Sequence, residues 1–203
     1  MFSVLQRGQQ TLNLAMTLVG FISAFVAVVS ILQLYTSNAW ELPSVISNVQ
    51  PTATVKFSRK FGSNKGVAKE NNKLTFDLQS DLTPLFNWNT KQIFVYLTAE
   101  YPGKSDTASN KVTYWDKIIT SPKRANISLT NERSAYSVWD IEETFRNREA
   151  IVKLEWSVQP YVGLLTHGST AGETIVVFPD PPTEEEMRKA KMERRKSGKG
   201  KKN

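Results

Sequence analysis

Cysteine and histidine, two of the residue types that most often serve as catalytic nucleophile and base, are nearly absent from this chain of 203 residues. It has no cysteine, and its one histidine, His167, lies in a stretch between Gly163 and Gly172 that we predict to be a loop. Neither a Ser-x-x-Lys nor a Gly-x-Ser-x-Gly motif occurs, so no serine has the context of an activated nucleophile. Asp77 and Asp81 fall on a predicted strand-to-turn segment, where carboxylates mainly support turns and solubility. We therefore predict no catalytic residue, no metal site and no cofactor.

The longest uncharged stretch runs from Gly8 to Trp40. Its most apolar part, residues 14–35, would form a helix of about 33 Å, enough to cross a hydrocarbon core of about 30 Å. The alternative is a cleaved signal peptide, because residues 37–39 have the small-x-small pattern of a cleavage site. The apolar core of a signal peptide is shorter, about 7–15 residues, so we favour an uncleaved signal-anchor helix.

The charges beside the span predict its orientation. Arg7 and the α-amine precede it, and the first charge after it is Glu41. The positive-inside rule then leaves residues 1–13 as a cytosolic arm and residues 40–182 as a lumenal domain. The sequon at Asn126 predicts N-glycosylation, which agrees with a lumenal domain, and that location excludes nucleic acid as a partner.

The domain has the pattern of a mainly β fold. Apolar residues recur with period two in short runs separated by Pro, Gly, Asn and Ser, which predicts an antiparallel β-sandwich. Residues 92–101 are apolar on both faces and are predicted to form a central strand covered on both sides. The candidate strands are 54–58, 74–78, 92–101, 112–119, 127–129, 136–139, 150–158 and 172–178.

The chain ends in a basic tail, residues 183–203, with nine Lys or Arg and four Glu. It supplies +5 of the net charge of +7, so the high pI is mainly a property of the tail. The tail has no apolar face, and its last residues are predicted to be disordered.

Small residues recur along one face of the predicted span. A face of this kind lets a second helix approach closely in lipid, so it is a candidate packing face. Its members are Gly20, Ser23, Ala24, Ala27 and Ser30.

Several runs of the domain resemble a known family. They are DLTPLFNWNTKQIFVYLTAEY at residues 81–101, WDKII at residues 115–119 and LEWSVQP at residues 154–160. Together with the span, they resemble subunit 3 of the signal peptidase complex, the single-span glycoprotein subunit of that complex in the endoplasmic reticulum. The resemblance covers the span and nearly all of the domain but not the basic tail.

The resemblance implies a function without independent catalysis. The protein would be a type II membrane protein of the endoplasmic reticulum that supports a separate serine-protease subunit. Its partners would be that subunit and the other small membrane subunits, and it would meet nascent secretory chains indirectly. The alternative is an anchored lumenal binding module, lectin-like or chaperone-like, without a fixed protease partner.

One turn is a candidate contact with the catalytic subunit. It comprises Phe86, Asn87, Trp88 and Asn89, where two aromatic side chains precede the predicted central strand. Aromatic residues are enriched in interface cores. The alternative is that Phe86 and Trp88 pack the edge of the sandwich.

Overall fold

The first element is a long helix that continues to the start of the β domain. The structure, a computed structural model, describes residues 3–56, 69–103, 108–139 and 146–183. The tail from residue 184 onward and the end of the first candidate strand, residues 57–58, therefore lie outside the described residues.

Helix α1, Val4–Thr36, has 33 residues and begins well before the predicted span. The Ser3 side chain accepts a hydrogen bond from the Gln6 backbone N–H, which caps the first turn. Asn38 then takes a left-handed conformation with φ of 50° and ends the helix. At about 50 Å, α1 is long and apolar enough to cross a membrane, and almost none of its most apolar part is buried within the protein.

Within the described residues, eight strands follow and form two antiparallel sheets of four strands. One sheet has the order β1-β2-β5, with β6 also paired to β2, and the other has the order β4-β3-β7-β8. The strands are β1 Ser44–Lys56, β2 Lys69–Asp81, β3 Thr90–Pro102, β4 Ser109–Ile119, β5 Asn126–Arg133, β6 Val138–Trp139, β7 Glu149–Pro160 and β8 Thr166–Val177.

The two sheets share one hydrophobic core. In β3 the alternate residues Ile93, Val95 and Leu97 are buried in it. Phe76 of β2 meets Trp115 of β4 edge to face, with ring centroids 6.1 Å apart, and this contact joins the two sheets. The prediction of a mainly β, antiparallel two-sheet domain after an apolar helix is confirmed.

Strands β1 and β8 bring one edge of each sheet together. Thr174 Oγ1 donates to the Ile46 carbonyl at 2.7 Å, and the hydroxyls of Ser44 and Thr170 lie 2.7 Å apart. A Cβ at Gly172 would lie 2.0 Å from the Ser44 carbonyl oxygen. Strands β1 and β8 can therefore approach this closely only because residue 172 is glycine.

Two expectations about the strands are wrong. Residues 92–101 form a central strand, but the outer face of β3 is not covered. On that face Phe94 is 36% exposed and stacks on Tyr96, with ring centroids 5.2 Å apart. An antiparallel sheet can leave one face in water, and here that face also carries apolar side chains. His167 lies in strand β8 and not in a loop. The glycines around His167 were interpreted as loop residues. Gly168 instead lies in the strand, where the absence of a side chain leaves room for the ring of Trp156 on the paired strand.

Candidate functional site: the junction of helix and β domain

The side chains first considered for catalysis do not come together. His167 is exposed, and its backbone carbonyl accepts a hydrogen bond from Trp40 Nε1 at 3.2 Å. Asp77 Oδ1 accepts from the Asn131 N–H at 2.6 Å. The hydroxyl and backbone N–H of Thr83 both donate to Asp81 and lower the pKa of that carboxyl, so Asp81 is an ionised turn cap and not a poised acid. Within the described residues no cluster of three or more His, Asp or Glu side chains is arranged to hold a metal ion.

A group of side-chain hydrogen bonds lies where α1 meets the β domain. Ser30 is buried in the last third of the helix, and its hydroxyl accepts a hydrogen bond from Asn87 Nδ2 at 3.0 Å. The same Nδ2 group lies 3.3 Å from the Ser30 carbonyl oxygen. An amide from the β domain therefore binds directly to the most apolar part of the helix, a contact suited to a site with little water.

The turn that carries Asn87 is held by its own side chains. Asn87 Oδ1 accepts from the Asn89 N–H at 2.9 Å, which is an Asx turn. The Asn87 N–H donates to Thr90 Oγ1 at 3.1 Å, and that hydroxyl donates to the Leu85 carbonyl at 3.0 Å. Because these bonds fix the backbone, the Asn87 amide is positioned toward the helix before any partner binds.

Asn89 joins this turn to the loop between β7 and β8. Its side chain is buried and makes two hydrogen bonds with the backbone of Val162. Asn89 Nδ2 donates to the Val162 carbonyl at 2.7 Å, and the Val162 N–H donates to Asn89 Oδ1 at 3.1 Å. The Asn89 carbonyl accepts a third bond, from the Tyr161 N–H at 2.8 Å. The loop at residues 161–165 is therefore fastened to the turn at residues 86–89.

The same loop packs on the helix. Gly163 has φ of +121°, and a Cβ placed on it would lie 3.0 Å from the Ala27 Cβ, so a larger residue would push the loop away from α1. The crevice here, lined by Ala27, Ile31 and Leu164 among others, encloses only about 10 Å³, barely enough for one water molecule. Loop and helix are thus in close contact.

The end of the helix is anchored in the β domain core. Leu34 is buried in the same cluster as the sheet residues, and Ala39 just after the helix is fully buried. The Trp40 ring makes tilted contacts with Tyr35 and with the buried Trp156, with ring centroids 4.6 Å and 6.0 Å apart. The segment between α1 and β1 is therefore a packed joint and not a free linker.

The predicted helix-packing face is divided by this arrangement. Ala27 and Ser30 face the protein's own β domain, and Ser23 is half-buried. Gly20 and Ala24 are exposed, and nothing lies within 4 Å of a Cβ built on Gly20. The N-terminal part of this face, at Gly20 and Ala24, is thus accessible to a second helix.

The predicted contact turn is divided in a similar way. Phe86 packs against the core, and Asn87 and Asn89 bind other parts of the chain. Trp88 is 58% exposed, so it is the member of the four that presents most of its side chain to the outside.

Asn126 occupies an accessible position. It is the first residue of β5, an edge strand of its sheet, and its side chain is exposed. Its register partner is Asp81, at the end of β2 where the chain turns toward the junction. This exposure is what a glycan at the sequon would require, and glycosylation stays a prediction.

Sequence reasoning did not identify the loop at residues 161–165 as part of a site, and it named Asn89 only as a candidate contact with another subunit. A signal was present, because Tyr161, Val162, Leu164 and Leu165 form a nearly uninterrupted apolar run between two strands. Loops are ordinarily polar, so such a run is expected to have a functional reason.

Comparison with known proteins agrees with the resemblance noted in the sequence. A family model described as signal peptidase subunit matches residues 1–181. A Debaryomyces hansenii protein named signal peptidase complex subunit 3 is 56% identical over 171 residues, which cover 84% of this chain and 90% of that protein. Proteins of the same name from Saccharomyces cerevisiae and Yarrowia lipolytica are 50% and 49% identical, over 85% and 88% of this chain and 94% and 98% of their own lengths. The match includes the whole of α1, the junction and all eight strands, and the chain belongs to the signal peptidase subunit family.

Proposed function

We propose that this protein is a non-catalytic subunit of the signal peptidase complex in the membrane of the endoplasmic reticulum. The observation that carries the proposal is the family match over residues 1–181, which covers the membrane helix and the β domain together. The three relatives described above are all named as subunits of that complex, which favours this role over a free-standing lectin-like or chaperone-like module.

The proposed topology is type II. Residues 1–13 form the cytosolic arm, residues 14–35 the membrane anchor, residues 40–182 the lumenal domain and residues 183–203 a basic tail. The buried positions of Leu34 and Ala39 support retention of the anchor, because cleavage after residue 39 would remove both side chains from the core. Within the cleavage-site pattern at residues 37–39, Asn38 is exposed, but Ala39, the residue before the cleaved bond, is fully buried in the joint.

The rigid junction suggests how such a subunit supports catalysis. Ser30, Ala27 and Leu34 fix the β domain against the helix, so the domain stands at one height and orientation relative to the bilayer. A serine-protease subunit docked on it would have its active site held at the level where signal peptides leave the membrane. Trp88 is the proposed contact with that subunit, and Gly20 and Ala24 are the proposed contacts for a partner helix.

Reconstitution tests the proposal. The chain, tagged and solubilised in mild detergent, should co-purify with other membrane proteins at constant stoichiometry and with signal peptidase activity. The chain purified alone should cleave no signal peptide, and complexes depleted of it should regain cleavage when it is added back. His167→Ala is the control, because the exposed side chain can be removed while the backbone carbonyl that binds Trp40 stays. Cleavage by the isolated chain would overturn the non-catalytic role, and purification of the chain without partners would overturn the complex.

A further inference from the structure

The loop at residues 161–165 exposes several large apolar side chains. Leu164 is 80% exposed, Tyr161 69% and Leu165 57%, and none of the five residues is charged. The loop is nevertheless ordered by Asn89 and by the contact of Gly163 with Ala27. The apolar side chains are therefore held outward by a fixed backbone, an arrangement that needs an apolar surrounding.

The position of the loop along α1 limits what that surrounding is. Arg7 is the last charge before the span, so the hydrocarbon part of the helix begins no earlier than Gly8. Crossing about 30 Å then takes about 20 residues and ends no earlier than Ala27. Ala27 is the residue that Gly163 contacts, so even at this limit the loop lies at the edge of the hydrocarbon layer.

The other limit places the loop deeper. If the span ends at Tyr35, the loop lies about 12 Å below that end, because eight residues of helix separate Ala27 from Tyr35. Tilting the helix increases the number of residues needed to cross the hydrocarbon layer, which moves the end of the span from Ala27 toward Tyr35 and places the loop deeper. Every placement in which α1 spans the bilayer therefore brings the loop to the lipid.

We propose that the loop at residues 161–165 is a second membrane contact, inserted into the leaflet on the domain side with Leu164 and Leu165 among the acyl chains and Tyr161 at their boundary. Tyrosine favours that boundary because its ring is apolar and its hydroxyl reaches water. With α1 and the loop both in the bilayer, the β domain is fixed at two points and cannot pivot about the helix. The proposal requires that α1 crosses the membrane and does not depend on which proteins bind the domain.

The absence of cysteine from the chain makes the test direct. Full-length protein carrying Leu164→Cys, labelled with a polarity-sensitive fluorophore, is reconstituted into phosphatidylcholine nanodiscs that contain lipids with a nitroxide on the acyl chain. Phe21→Cys, exposed in the middle of α1, is the membrane reference, and Val177→Cys is the matched control. Val177 is also an exposed apolar residue but lies at the opposite end of β8, about 35 Å from the loop.

The expected result is a blue-shifted emission and strong nitroxide quenching at Leu164 and Phe21, with quenching by aqueous iodide at Val177 alone. Iodide quenching at Leu164 equal to that at Val177, without nitroxide quenching, would overturn the proposal. Loss of nitroxide quenching at Phe21 would overturn it as well, because α1 would then not lie in the bilayer.

A protein partner is the other possible cover. In the assembled complex, a benzophenone attached at Leu164→Cys should crosslink to lipid. Crosslinking to another subunit in place of lipid would assign the loop to a protein interface and refute membrane insertion. Leu165→Cys repeats the measurement at an adjacent exposed site, so that a local effect of one label does not decide the result.

Discussion

Removal of the buried amide of Asn89 is the most direct test of the junction. Asn89→Ala deletes two hydrogen bonds to Val162, of 2.7 and 3.1 Å, and leaves the backbone bond to Tyr161 in place. Each bond contributes about 1 kcal/mol net, so the expected loss is about 2 kcal/mol of unfolding free energy. For a domain of about 150 residues this lowers Tm by about 4–8 °C.

The measurement is thermal unfolding of the full chain in detergent, followed by tryptophan fluorescence, to which the buried Trp156 contributes. Lys91→Ala is the control, because Lys91 is exposed two residues further along and such substitutions usually change stability by less than about 0.5 kcal/mol. Equal Tm values for the two variants would refute the idea that the Asn89 amide joins the turn to the loop.

A second substitution separates hydrogen bonding from packing. Asn89→Asp keeps the shape of the side chain but replaces the donor that faces the Val162 carbonyl with a carboxylate oxygen. At neutral pH it should therefore destabilise at least as much as Asn89→Ala. Near pH 4 and below, the protonated carboxyl regains a donor, so the deficit relative to the parent chain should shrink as the pH falls. A deficit that is independent of pH would contradict the assigned bonds.

Three further outcomes are expected. Endoglycosidase treatment of the membrane-bound protein should increase its gel mobility, and Asn126→Gln should abolish that change; a parent chain that never shifts would contradict glycosylation. Gly20→Leu should reduce co-purification with the complex, while Val19→Leu on a different face should not. The reduction should be partial, because helix contacts in lipid contribute only about 1 kcal/mol each. Equal recoveries of the two variants would remove the case for a specific helix interface. Gly168→Ala should destabilise the domain by about 1–3 kcal/mol in the same unfolding assay, because its Cβ would lie 2.3 Å from Trp156 Cζ2; an unchanged Tm would show that the two strands can separate there without cost.

The anchor and the class of fold are set by local sequence patterns. An uncharged apolar stretch can satisfy its backbone in a membrane only as a helix, and period-two runs separated by turn residues bury one face only as strands. Those rules involve neighbouring residues and need no knowledge of distant ones, so α1 and the strands could be predicted. The same local rules failed for His167, because glycines inside a strand and glycines in a loop look alike until the opposing side chain, here Trp156, is known.

The junction was decided by the tertiary structure alone. The contacts of Ser30 with Asn87, of Asn89 with Val162 and of Ala27 with Gly163 join residues 57, 73 and 136 positions apart. No periodicity or motif relates residues at such separations, because their meeting depends on the pairing of β3 with β7 and on the path of the chain after α1. The sequence by itself determined that this protein has an apolar helix long enough to span a membrane and a β domain, and only the folded chain determined that the two are packed together, because that joint consists of non-local contacts.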